Sequence, residues 1–217
     1  MNLLQDPYPI LGVKLSEENC TKIDLSPKNN NLDSINFQDE VQFSKFIKNQ
    51  LEFNKVDFGI GGYLEERNIY RRGELFKSNV EEYRNIHLGI DIWGKDQTPI
   101  YNTLDGELIV AHDNAGNADY GPTMILKYFS EHTDFYVLYG HLSRSSLSRY
   151  KIGDQIKRGE RLGEFGSHEV NGNWPPHVHV QLIRALPPEA KDFPGVCSQN
   201  EVDHWKKECP NPEFIIA

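Results

Sequence analysis

The chain has 217 residues, with 23 Lys and Arg against 32 Asp and Glu and a formal net charge of -9 at pH 7. Its mean hydropathy is -0.60, and no apolar run approaches the ~20 residues of a membrane-spanning helix, so no membrane partner is expected. The acidic balance, with no Lys/Arg cluster interleaved with aromatics, argues against a nucleic-acid partner; Cys20, Cys197 and Cys209, lacking any C-x-x-C, argue against a zinc ribbon or a disulfide framework.

In chain order, Met1 to Pro9 lack the basic and apolar regions of a secretory signal, which predicts a cytoplasmic chain. Pro27 to Asn31 reads as a polar loop. Phe43, Phe46, Ile47 and Leu51 recur at helical spacing with Asp39 and Glu40 ahead of them, predicting a helix over 38–50. Phe58-Gly-Ile-Gly-Gly-Tyr63 lacks the Lys-Ser/Thr of a phosphate loop and predicts a tight turn or bulge. Glu65, Glu66, Arg67, Arg71, Arg72 and Glu74 form a mixed-charge run, by default a solvated face, with a cleft-lining role for Tyr63, Glu65 or Arg67 as the alternative because the segment leads into the first histidine block. Residues 1–83 are therefore read as an N-terminal extension packing on a domain over 84–184.

From Arg84 the pattern changes to short β-branched and aromatic segments separated by Asp/Asn/Gly turns. Strands are predicted over 86–93, 99–101, 106–112, 123–129, 134–139 and 177–183. The fold class is mainly β, an antiparallel sheet or sandwich. Lys151 to Gly163 repeats Gly between apolar residues, as in a sharply curved hairpin. The tail, 185–217, carries Pro187, Pro188, Pro194, Pro210 and Pro212, which exclude long regular elements. It is expected to wrap the sheet, with a short helix near 201–206 and Trp205 and Phe214 as anchors.

The chemistry sits in three blocks: Ile86-His-Leu-Gly-Ile-Asp91, Phe135-Tyr-Val-Leu-Tyr-Gly-His-Leu142 and Asn173-Trp-Pro-Pro-His-Val-His-Val-Gln-Leu182. On strands, His87, Gly89 and Asp91 share one face, and His177 and His179 share one face. A catalytic zinc takes three imidazole or carboxylate ligands and keeps one open position. His87, Asp91 and one histidine of the His177/His179 pair supply that set, and the other histidine is left for proton transfer. The remaining histidines, His112, His132, His168 and His204, read as ordinary core or surface residues.

His87-x-x-x-Asp91, Tyr139-x-His141-Leu142 and His177-x-His179, in that order, resemble the lysostaphin-type (LytM-like) zinc metallopeptidases over roughly Arg84 to Ile183. The 151–163 element also resembles the hammerhead hairpin of their duplicated-hybrid-motif fold. The resemblance implies one zinc per chain on His87, Asp91 and His179, with His141 and His177 as unliganded catalytic histidines. It also implies hydrolysis of a peptide (amide) bond in a peptide or muropeptide substrate derived from peptidoglycan. A non-hydrolytic peptide-binding or regulatory module is the alternative, disfavoured because all five positions are intact. The sequence departs from the family at Gly172-Asn-Trp-Pro-Pro176, where a Gly/Ser/Thr-rich approach is usual. Trp174, Tyr63 and Tyr101 are the candidate substrate contacts.

Overall fold

The computed structural model describes residues 5–37, 39–72, 83–131 and 133–216. Glu74 of the charge run and His132 lie outside the described residues.

The order is β1 (Cys20–Lys22), α1 (Glu40–Asn54), β2 (Phe58–Gly61), β3 (Ile86–His87), β4 (Ile90–Trp93), β5 (Pro99–Tyr101), β6 (Gly106–Asn114) and β7 (Gly121–Tyr128). There follow β8 (Phe135–Gly140), β9 (Gln155–Ile156), β10 (Arg161–Glu164), β11 (His177–Ile183), β12 (Val196–Cys197), α2 (Val202–Glu208) and α3 (Glu213–Ile216). One eight-stranded sheet runs β1-β2-β4-β11-β8-β7-β6-β9, antiparallel except for the β1/β2 pair. The fold is mainly β, with an N-terminal extension that carries a helix. Among the described residues, no helix is long and apolar enough to cross a membrane.

Both faces of the sheet are covered. Leu126, Val137, Val178, Val180 and Leu182 pack into one cluster, while Ile125, Leu138 and Ile183 pack into another with Cys197 and Cys209. Strands covered on two faces read as continuous apolar runs. β11, buried along its whole length, instead alternates His177, His179 and Gln181 with Val178, Val180 and Leu182, and it falls where the sequence predicts it.

Helix α1 ends four residues beyond the expected boundary. Asp39 caps its start, accepting from the N–H groups of Val41 and Gln42, and Lys55 ends it at φ 55 in the left-handed region. Phe43, Phe46 and Ile47 form its buried face.

Three expectations need correction. Phe58–Gly61 is strand β2, not a turn: it pairs β4 on one side and β1 on the other. Its glycines mark close backbone approach, since a Cβ at Gly59 would stand 2.2 Å from Ile23 and one at Gly61 would stand 2.5 Å from the Ile23 carbonyl. The 151–163 segment is not a hairpin, because β9 pairs β6 whereas β10 pairs β5. The predicted 86–93 strand is two short ones, β3 against β12 and β4 in the main sheet.

In the tail, α2 and α3 are short, and Ile215 and Ile216 are the buried anchors. Trp205 meets Phe193 edge-on at 5.8 Å, and Phe214, 38% exposed, lies 6.4 Å from Phe135.

Candidate metal centre

Cross-strand register assembles the centre. Gly61, Asp91, His179 and Gly140 stand in one row across β2, β4, β11 and β8. Directly opposed side chains in an antiparallel pair lie about 5 Å apart at Cβ, which brings Asp91 against His179. His87 enters from β3, ahead of the break at Leu88-Gly89. Gly89 is required there, since a Cβ would lie 2.6 Å from the His179 ring.

Three acceptor atoms converge. His87 Nε2 and His179 Nδ1 are 2.9 Å apart, and Asp91 Oδ1 lies 3.3 Å from the first and 3.1 Å from the second. All three residues are buried. The outer side of each is committed. His87 Nδ1 faces the Gly62 carbonyl at 2.9 Å, so that nitrogen carries the proton. Gln181 Nε2 donates to the Pro194 carbonyl at 2.9 Å, which turns Gln181 Oε1 toward His179 Nε2, also at 2.9 Å. His179 therefore donates through Nε2. Asp91 Oδ2 accepts from Arg67 at 2.6 Å, leaving Oδ1 for the triangle.

Two imidazole lone pairs and a carboxylate oxygen so placed repel one another unless a cation sits among them. A tetrahedral ion with bonds of about 2.0–2.1 Å separates its ligands by roughly 3.3 Å, close to the observed spacing. The donor set fits a zinc-type ion.

Beside the triangle lie His141 and His177, with ring centroids 4.1 Å apart. His141 Nδ1 donates to the Asn171 carbonyl at 2.9 Å and His177 Nδ1 to the Pro175 carbonyl at 2.7 Å. Both keep a bare Nε2, and that of His177 is 3.9 Å from Asp91 Oδ1. His141 is held at φ 62, a left-handed backbone uncommon outside glycine. Its N–H donates to the Tyr120 carbonyl and its carbonyl accepts from Gly166.

Burial pushes His177 down to about 4 and His87 down to about 4, the latter with help from Arg67. Burial, with His177 and His179 beside it, holds His141 well below the usual range. Burial alone would raise the Asp91 carboxyl, but His87 and Arg67 outweigh it and hold it well below the usual carboxylate value. At neutral pH His87, His141 and His177 are neutral bases and Asp91 is ionised.

The sign for stability follows. A buried histidine with a folded pKa near 4 binds its proton only after the unfolded chain, near 6.5, has done so. Stability of the metal-free protein is thus full above about 6.5 and falls as the pH drops toward 4, by up to about 3 kcal/mol each for His87 and His177. Denaturant unfolding of chelator-treated protein at several pH values across that window checks this; a flat profile contradicts it.

The centre opens into a cavity of about 210 Å³ walled by Phe43, Tyr70, Trp93 and Trp174 and by the segment 192–196. Trp174 stands in that wall, donating through Nε1 to the Asp119 carbonyl at 3.3 Å. The other two predicted contacts do not line the cavity. Tyr63 donates its hydroxyl to the Cys209 carbonyl at 2.7 Å, and Tyr101 packs on Tyr8 at 5.8 Å. Each is drawn away by packing against a chain terminus that local sequence does not reveal.

Three functional positions escaped the sequence. Arg67, by default part of a solvated run with cleft lining as the alternative, is 2% exposed and lines the cavity, and its bond to Asp91 had no sequence signal. It bonds Glu65 at 2.7 Å as well as Asp91, and its guanidinium lies over the Tyr70 and Trp93 rings. Asn171, fully buried, ties the loop before β11: its amide donates to the Gly166 and Trp174 carbonyls and its Oδ1 accepts from Trp174 N. Gln181 follows the His-x-His pair on the same strand face, and that two-residue spacing was its available signal.

The profile of Peptidase family M23 matches residues 85–190. That span contains His87, Asp91, His141, His177 and His179. The chain is 29% identical over 123 residues to the cell division protein DipM of Caulobacter vibrioides, a match covering 56% of this chain and 18% of that protein. It thus spans under a fifth of that relative's length. Among solved structures, the catalytic domain of lysostaphin from Staphylococcus simulans gives a TM-score of 0.42 at 17% identity, covering 75% of this chain and 97% of that one. A zinc-containing peptidase from Vibrio cholerae gives 0.39 at 22% identity, covering 54% and 34%. The M23 match covers all the residues that carry the centre.

Proposed function

We propose that this chain is a zinc-dependent metalloendopeptidase of the M23 type that hydrolyses a peptide bond in a peptidoglycan-derived peptide. The observation that carries the metal is the triangle of three acceptor atoms on His87, Asp91 and His179, whose outer atoms are all committed elsewhere. Its donor chemistry suits zinc, with a fourth position open toward the cavity.

When bound, zinc supplies Lewis acidity, bringing a water toward a neutral pKa and polarising the scissile carbonyl. The chain's own groups do the rest. His177 and His141 keep bare Nε2 atoms beside the triangle, suited to accept a proton from the attacking water and return one to the leaving amine. Their Nδ1–H bonds to backbone carbonyls hold both rings in the required tautomer. The wall of Phe43, Tyr70 and Trp174 limits water around the reacting bond. The substrate class follows from the likeness of the three histidine motifs to those of the lysostaphin-type peptidases.

The test is metal analysis by mass spectrometry on protein purified without added metal, together with cleavage of pentaglycine and a muropeptide panel. The expected result is about one zinc per chain, with cleavage abolished by chelation and restored by zinc. Stoichiometric zinc without cleavage of any member would refute the peptidoglycan assignment, and no metal would refute the metallopeptidase.

A further inference from the structure

Gln181 is fully buried and bonded at both ends of its amide. Its Nε2 reaches the Pro194 carbonyl at 2.9 Å and the Cys209 Sγ at 3.3 Å; its Oε1 meets His179 Nε2 at 2.9 Å. A carbonyl can only accept, so Pro194 fixes which way the amide faces, and the amide in turn fixes which nitrogen of His179 holds the proton. Pro194 belongs to the segment that walls the cavity. The next residue, Gly195, accepts the Leu88 N–H at 2.9 Å, and Val196 pairs with His87. The 192–196 strap therefore touches both histidine ligands, one through Gln181 and the other through β3.

We propose that Gln181 is a positioning residue that presents Nδ1 of His179 to the metal and ties that ligand to the 192–196 strap. The inference rests on the zinc reading above. Without the Oε1 acceptor, His179 is free to take the other tautomer, which places an N–H in the triangle where a lone pair is needed. Outer partners of ligating imidazoles typically contribute 10–100-fold in metal affinity.

Two measurements test it. The first is the imidazole tautomer in metal-free, 15N-labelled protein: His179 is expected as the Nε2–H form and His87 as the Nδ1–H form. An Nδ1–H form of His179 overturns the proposal without any variant having to fold. The second is zinc affinity by competition with a chromogenic chelator. Gln181→Met is expected to bind zinc about 10–100-fold more weakly than the parent, and Gln181→Glu, which keeps the acceptor but not the bond to Pro194, is expected to recover most of that loss. Equal affinity in the parent and Gln181→Met overturns the inference and leaves the zinc reading standing. A parent that binds no zinc overturns the zinc reading itself. A Gln181→Glu variant as weak as Gln181→Met shows that the acceptor is not what matters, and the proposal falls.

Discussion

Replacing either His177 by Ala or His141 by Asn should lower kcat by about 10²–10⁴ while the zinc content stays at the parental level. Neither ring touches the acceptor triangle through its donor nitrogen: each Nδ1–H is spent on a backbone carbonyl, of Pro175 and of Asn171. Each Nε2 is bare, and burial keeps both rings neutral, so both are competent bases at pH 7. Asn is chosen at position 141 because the backbone there sits at φ 62. That conformation suits Asn better than Ala, so a loss of activity is not confused with backbone strain. Since the two rings act on one proton path, the double variant should be little worse than either single one. Steady-state kinetics with metal analysis on the same samples checks this. Zinc lost from either variant would remove the proton-transfer role and make that histidine a ligand.

Arg67→Ala should destabilise the protein by about 3–5 kcal/mol, the cost of stripping one partner from a buried ion pair. The Arg67 side chain is 3% exposed and those of Glu65 and Asp91 are 11% and 5% exposed, so solvent screens little. Removing the guanidinium leaves two carboxylates facing each other and frees Asp91 Oδ2. Arg67→Lys keeps the charge but not the fork that spans both carboxylates, and should fall between the two. Urea unfolding with an unchanged m value measures this. A loss under about 1 kcal/mol would mean that water reaches the pair.

Arg67 also separates what was legible in the sequence from what was not. His177 and His179 stood out by strand parity, His87 and Asp91 by their even spacing and His141 by the Tyr-x-His-Leu motif; the structure brings the four imidazoles and the carboxylate together although His87 and Asp91 lie on separate strands. The boundaries of β11 were legible from the same parity. Arg67 was not, because a charge reads as exposed unless its partner is known, and Asp91 is 24 positions away in sequence. Strand β2 was hidden by its glycines: Gly59 and Gly61 are there to admit Ile23 and Trp93, neighbours that only the folded chain supplies. The segment before β3 delivers a cation, Arg67, to the outer oxygen of Asp91. The extension is part of the centre's support.

The position of β11 has a consequence for how the molecule is made. β11 fills the slot between β4 and β8, yet it follows both in the chain. Until it arrives, the emerging polypeptide holds two half-sheets, each with a bare edge of apolar residues such as Ile92 and Leu138. Joining them closes a contact across nearly ninety positions, His179 to Asp91. Distant pairings of that kind are slow, and open strand edges invite association with other chains. The hazard peaks just before His179 docks against Asp91, so the acceptor triangle exists only in a chain that has already joined its halves.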